Sequence, residues 1–264
     1  MDSVSNIPVQ IPTRSVLGLN ISVTRYEDTI QRSVRWAQDR EPRALFFANV
    51  HVVMEAYDNG DFRESLNRAD IVAPDGVPLV WALRALGERS ATRVYGPDAM
   101  VAMLNSAEQN ELLVGFYGGS ESVLYQLLSA VRARHPRLKV AFSYSPPFRP
   151  MSPGEDANIV EQITASKAQI LFVGLGCPKQ EVWIMDHLNH IPAVMFGVGA
   201  AFDFLGGNKP QAPRWMMRLG LEWLFRLASE PRRLGRRYLK HNPRFVGLFL
   251  WQLARSQLSP GNVR

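Results

Sequence analysis

Short apolar runs rich in β-branched and aromatic residues recur through most of the chain, at 44–48, 70–73, 112–117, 138–144, 169–173 and 193–198. Several are continuous rather than alternating, the pattern of strands covered on both faces. Segments with helical spacing separate them, at 26–38, 77–86, 98–108, 121–134, 155–166 and 178–188. Strand and helix in this rhythm predict an α/β fold: a Rossmann-like, mostly parallel sheet flanked by helices and joined by right-handed crossovers. Beyond Gly206 and Gly207 the strand pattern stops, and the remainder reads as helices broken near Pro231 and Pro243. The division expected is an α/β catalytic part over 1–207 and a helical, basic and aromatic appendage over 208–264. Prolines 146, 147, 150 and 153 stiffen one loop that is too short to be a linker.

At 264 residues and 46% hydrophobic the chain can bury a sizeable core. Its single cysteine, Cys177, excludes an internal disulfide framework and suits a reducing compartment. Residues 1–14 lack a charged stretch followed by an apolar run, so secretion is not expected. The charge is uneven. From Arg214 to Arg255 ten basic residues face two acidic ones, Glu222 and Glu230, so this segment carries +8 while the whole chain carries only +6. Trp215, Trp223 and Trp251 lie there too, and cations among aromatics fit an anionic membrane interface, a nucleic acid or a phosphorylated ligand.

Three features organise that tail. Trp215, Leu219, Trp223 and Leu227 recur at four-residue steps, a stripe expected to pack on the α/β body. Arg233, Arg236, Arg237 and Lys240 share one face of the next helix. The run from Phe245 to Trp251 is apolar all round apart from Gly247. Only seven residues long, it falls far short of the roughly 20 that span a bilayer, so membrane contact is expected to be peripheral. Arg237, Lys240, Arg244, Phe245, Phe249 and Trp251 are the residues expected at lipid, with Arg255 as a flanking anchor.

In open α/β sheets ligands bind outside the carboxyl ends of the strands, which directs attention to four loops. Gly174-Leu175-Gly176-Cys177-Pro178-Lys179-Gln180-Glu181 joins a strand to a helix. Its glycines and free N–H groups suit an anion, and Lys179, Gln180 and Glu181 can hold phosphate, hydroxyl and amide groups; a plain strand-to-helix turn is the alternative. Gly197-Val198-Gly199 leads to Asp203, either an acceptor for a ribose or base or a turn aspartate. Pro74-Asp75-Gly76 is a common turn sequence, yet a carboxylate at a strand's carboxyl end is also well placed as a general base. Asn49, after the first of the runs, is a neutral hydrogen-bonding partner nearby, and Arg93 either faces phosphate or pairs with Asp98. The Asp-x-Asp motif that holds a metal in many nucleotide-sugar transferases is missing. The five histidines are scattered, only His187 and His190 lying close, and they read as solvent-facing; Cys177 reads as a small residue in a tight loop. A dinucleotide enzyme would show G-x-G-x-x-G after an early strand with an acidic residue about 20 positions on, and neither is present. Nucleic-acid binding by the tail would leave the ordered loops upstream without a role.

Taken in order and spacing, Asn49, the segment 69–76, Arg93 with Gly96 and Asp98, the segment 174–181, Gly197 to Gly199 with Phe202 and Asp203, and Leu221-Glu222-Trp223-Leu224 with Arg226 and Glu230 to Arg233 resemble the WecG/TagA/CpsF glycosyltransferase family, from about Leu17 to Phe249. The resemblance implies an inverting, metal-independent hexosyltransferase, without cofactor, that moves a sugar from a UDP-sugar to a polyprenyl-diphosphate-linked sugar at the cytoplasmic face of the bacterial inner membrane. Within the family the chain looks most like the glucosyltransferases of xanthan-like exopolysaccharide synthesis, implying β-1,4 transfer of glucose; N-acetylmannosamine or its uronic acid is the alternative sugar. Carried over, Asp75 matches the catalytic base and Arg93 an arginine near the site. Gln180 and Asp203 match donor-contacting positions, and Asn49, Gly174, Gly176, Lys179, Glu181 and Gly199 complete the expected donor-binding set. The tail arginines that close over the diphosphate leaving group fall on Arg226, Arg233 and Arg236. Two departures stand out: Phe47 occupies the place of a threonine, and Lys209-Pro210-Gln211-Ala212-Pro213 replaces Lys-Arg-Ala-Pro.

Overall fold

The computed structural model describes residues 11–258, so most of the N-terminal stretch read for a secretion signal lies outside the described residues. A short antiparallel hairpin opens the fold, β1 (Thr13–Val16) and β2 (Leu19–Ser22), turning at Leu17 and Gly18, both with positive φ. Six strands follow: β3 (Arg43–Ala48), β4 (Ile71–Pro74), β5 (Leu113–Gly118), β6 (Lys139–Tyr144), β7 (Ile170–Gly174) and β8 (Val194–Gly197). They form one sheet in the order β4-β3-β8-β7-β5-β6, every pairing parallel. All six predicted strands are present, within one or two residues of their expected ends. The hairpin was not foreseen.

Alternation within the continuous apolar strands divides the core between the two faces. Ala44, Phe46 and Ala48 of β3 join Leu171 and Val173 of β7 on one face, while Leu45 and Phe47 join Ile170 and Phe172 on the other. Phe116, Phe172 and Phe196 line up across β5, β7 and β8, with successive ring centroids 5.7 and 5.3 Å apart. The helices are α1 (Tyr26–Gln38), α2 (Val50–Asp58), α3 (Gly60–Asn67), α4 (Val77–Ala85), α5 (Gly96–Gln109), α6 (Glu121–Arg134), α7 (Pro153–Ala165), α8 (Lys179–His187), α9 (Ala201–Leu205), α10 (Arg214–Arg218), α11 (Glu222–Ser229) and α12 (Pro231–Leu258). Helices α2 and α3 were unpredicted, although Asn49 and Asn59 cap them through side-chain oxygens, a recognisable start signal. Where β5 ends beside β7, a Cβ on Gly118 would lie 2.6 Å from the Gly174 backbone, so only glycine fits.

The tail departs from expectation in three ways. Helix α12 runs unbroken through Pro243. The proline forfeits one backbone hydrogen bond, but His241, Phe245 and Phe249, one turn apart, are all buried against the body and hold the helix in place. Phe245 and Phe249, expected at lipid, belong to the core face that also contains the hairpin's Val16 and Ile21. Conversely Trp215 (59% exposed), Leu219 and Trp223, expected to pack on the body, are solvent-facing. Trp251 is exposed as expected, with the Arg255 guanidinium 4.1 Å above its ring. No helix among the described residues is long and apolar enough to cross a membrane.

Candidate active site

Because every strand of the sheet is parallel, the loops after β3, β4, β7 and β8 emerge at one edge. At the β3 and β4 end of that edge the tail folds over and encloses a cavity of about 310 Å3. Asn49, Asp75 and Arg93 of the body line it, together with Glu222, Arg226, Arg237 and His241 of the tail. Asn49 caps α2, its side-chain oxygen accepting from the His51 N–H at 3.0 Å. Asp75 is placed where β4 gives way to α4, its N–H donating to the Ala48 carbonyl at 2.8 Å.

Arg93 is the centre of this arrangement. Its Nη2 lies 3.2 Å from Asp75 Oδ1 and 2.6 Å from Glu222 Oε2, its Nε donates to the Asp75 carbonyl, and its guanidinium stacks 4.3 Å from the Tyr95 ring centroid. Arg93 therefore pairs with neither Asp98 nor a free phosphate position; Asp98 takes Arg214 instead, at 2.6 and 3.1 Å. Two carboxylates around one guanidinium leave a charge imbalance in a site little exposed to water. Burial pushes Asp75 up to about 7; Arg93 opposes the shift, Glu222 adds to it and Arg226 opposes it. Such a carboxylate exchanges its proton near neutral pH, as a general base must.

Of the arginines assigned by resemblance to the leaving group, the structure brings Arg226 to the cavity, 3.8 Å from Glu222. Arg233 instead pairs with Glu230 on the surface, its Nη2 2.8 Å from Oε1, and Arg236 is exposed. Arg237, expected at lipid, lines the cavity, and burial lowers its pKa. Arg244, also expected at lipid, forms a two-pronged ion pair with Asp58 at 2.7 and 2.9 Å, and Lys240 lies 4.0 Å from the same carboxylate. Phe47 is buried on the opposite face of the sheet, against α5, so it does not stand in for the family's threonine in the cavity.

The other predicted residues gather around β7 and β8, next along the same edge, and do not line the cavity. Gln180 is buried; its Oε1 accepts from the Gly176 N–H at 3.1 Å and sits 3.3 Å from where a Cβ on Gly199 would be, bracing both glycine loops. Glu181 is buried as well and is pushed up to about 7 by burial, with Gln180 donating to it at 3.0 Å. Gly174 approaches the Phe202 ring so closely that a Cβ would lie 2.7 Å from it. Lys179 is exposed, and Asp203 faces Lys209 at 3.5 Å. The Cys177 thiol is pushed far up by burial, in keeping with a passive residue. His190 is exposed as expected, but His187 is not free: its ring bonds Asp156 at 2.8 Å and the Trp183 carbonyl at 2.7 Å.

Glu222 and the pair His51 and His241 were missed as site residues. Glu222 carried a detectable sign, being one of two acids in a ten-cation segment. The histidines, 190 positions apart in sequence, carried none.

The chain matches the glycosyl transferase WecG/TagA/CpsF family over residues 14–259 and belongs to it. It is a glycosyltransferase. Among similar proteins are three N-acetylglucosaminyldiphosphoundecaprenol N-acetyl-beta-D-mannosaminyltransferases. That of Bacillus spizizenii is 32% identical over 187 residues, covering 70% of this chain and 71% of its own. That of Staphylococcus aureus strain MW2 is 29% identical over 245 residues, 92% of each. That of Bacillus subtilis strain 168 is 28% identical over 215 residues, 81% of each.

Proposed function

We propose that this glycosyltransferase moves N-acetylmannosamine from a UDP-sugar to an N-acetylglucosamine carried on a polyprenyl diphosphate, with Asp75 as the base. The names of the relatives support both sugars and the lipid diphosphate, and they favour N-acetylmannosamine over the glucose of a xanthan-like pathway. The observation that carries the chemistry is Asp75, held by Arg93 in a cavity and poised near neutrality. Its carboxylate takes the acceptor hydroxyl proton as that oxygen attacks the anomeric carbon from the face opposite UDP. Negative charge builds on the departing diphosphate, and Arg226 and Arg237 at the cavity wall stabilise it. The glycine loops braced by Gln180 form the remainder of the donor site, and residues 1–207 act as the catalytic part completed by the appendage 208–264.

Membrane contact in this reading is peripheral, on the cytoplasmic side, and made by Trp215, Leu219, Trp251 and the cations near them, since Phe245 and Phe249 are occupied in the core. The decisive assay offers UDP-N-acetylmannosamine and UDP-glucose in turn with a synthetic lipid-diphosphate N-acetylglucosamine. Mass gain of one N-acetylhexosamine is expected. Gain of one hexose alone restores glucose as the donor sugar, and no transfer from either donor overturns the reading.

A further inference from the structure

On the wall of the cavity, helices α2 and α12 meet through His51, Glu55 and His241, the two histidines lining it. His51 and Glu55 are one helical turn apart on α2, and His241 reaches them from the tail. One ligand atom from each lies within 4.8 Å of the others. The spacing is informative. His51 Nδ1 is 3.6 Å and His241 Nε2 is 3.5 Å from the same Glu55 Oε1, beyond a normal hydrogen bond. His51 Nδ1 is buried and has no hydrogen-bond partner among the described residues. A zinc ion with ligands at about 2.0–2.1 Å in tetrahedral geometry separates those ligands by about 3.4 Å.

We propose that His51, Glu55 and His241 form a binding site for a divalent transition cation of the zinc class, which fastens the tail helix to the α/β body at the cavity wall. This site is distinct from a metal on the donor diphosphate, for which the chain lacks an Asp-x-Asp motif. Two imidazoles and one carboxylate are a donor set that suits zinc and leave a fourth position for water. Of the charged groups around the cluster, Arg237 and Lys240 on α12 bear on His51, Glu55 and Asp58 on α2 bear on His241 together with Lys240 and Arg244, and Asp58 is already engaged by Arg244. The cluster spans the two parts of the chain, so occupancy couples to tail docking.

The test uses the full-length protein stripped with a chelator, then titrated with zinc by calorimetry and with cobalt by visible absorption. One equivalent bound, tetrahedral ligand-field bands from cobalt and a rise in Tm on adding zinc are expected. His241→Ala and Glu55→Gln should each weaken zinc binding at least about tenfold and abolish the Tm rise, since each removes one of three ligands. His190→Ala, at an exposed histidine elsewhere, should change nothing. Circular dichroism checks that the variants are folded, and if His241→Ala is not, Glu55→Gln decides. Absence of stoichiometric uptake by the wild-type chain overturns the site, as does uptake that survives both substitutions or that His190→Ala removes.

Discussion

The body and the tail of this protein use the same kinds of residue to opposite ends. In the body, apolar runs are covered on both faces by helices, and the side chains of the inner strands find a core whichever way they point. In the tail, one apolar face of α12 is buried by Phe245 and Phe249, while α10 and α11 leave Trp215, Leu219 and Trp223 in solvent. Polar ties hold the tail in place: Arg214 to Asp98, Glu222 to Arg93, Arg244 to Asp58, and Gln252 to the backbone of Leu17 and Ser15. The body supplies a fixed carboxylate and the tail supplies cations over it. A cavity made this way is complete only while the tail is docked.

The sharpest break is at the body's carboxylate. Asp75→Asn should lower kcat by about 10^3-fold while leaving UDP-sugar binding within about twofold, read by steady-state kinetics and calorimetry. A variant with full activity would remove Asp75 from the chemistry. The same substitution has a stability counterpart. Asp75 is raised from 3.8 to about 7 in the fold, so its contribution is fully present below about pH 4 and is lost as pH rises through about 7. Asp75→Asn should therefore melt higher than wild type at pH 8 and by a much smaller margin at pH 5.

On the tail, Phe249→Ala should cost about 3 kcal/mol in denaturant unfolding, because it empties a packed site in the core. Trp215→Ser with Leu219→Ser should change stability by less than about 0.5 kcal/mol each yet reduce flotation with anionic liposomes. If the two substitutions exchanged effects, the division of the tail into core and lipid faces would be reversed. Arg226→Ala should raise the donor KM or lower kcat by about tenfold, as loss of one charge-assisted contact does.

The smallest effect tests the bridge between the two regions. Glu222 raises Asp75 electrostatically, so Glu222→Gln should move the rising limb of the pH–rate profile to lower pH by less than about one unit. An unmoved limb would show that Asp75 does not sense the tail.

Read from sequence alone, the six strands, their common edge and the Asp75 and Gly174 loops were all legible, since each rests on a short apolar run or on a turn sequence that needs no distant partner. Charge asymmetry also marked off the basic tail. Tertiary structure alone decided where the tail's residues point. An amphipathic pattern shows that a helix has an apolar face without saying which surface covers it, so the tryptophan stripe and the phenylalanine run changed places. Neighbouring helical residues are about 100° apart, and the tail's docking angle therefore chose Arg237 over Arg236 for the cavity. Pairs such as Arg93 with Glu222, or His51 with His241, join residues more than a hundred positions apart, and only packing brings them together.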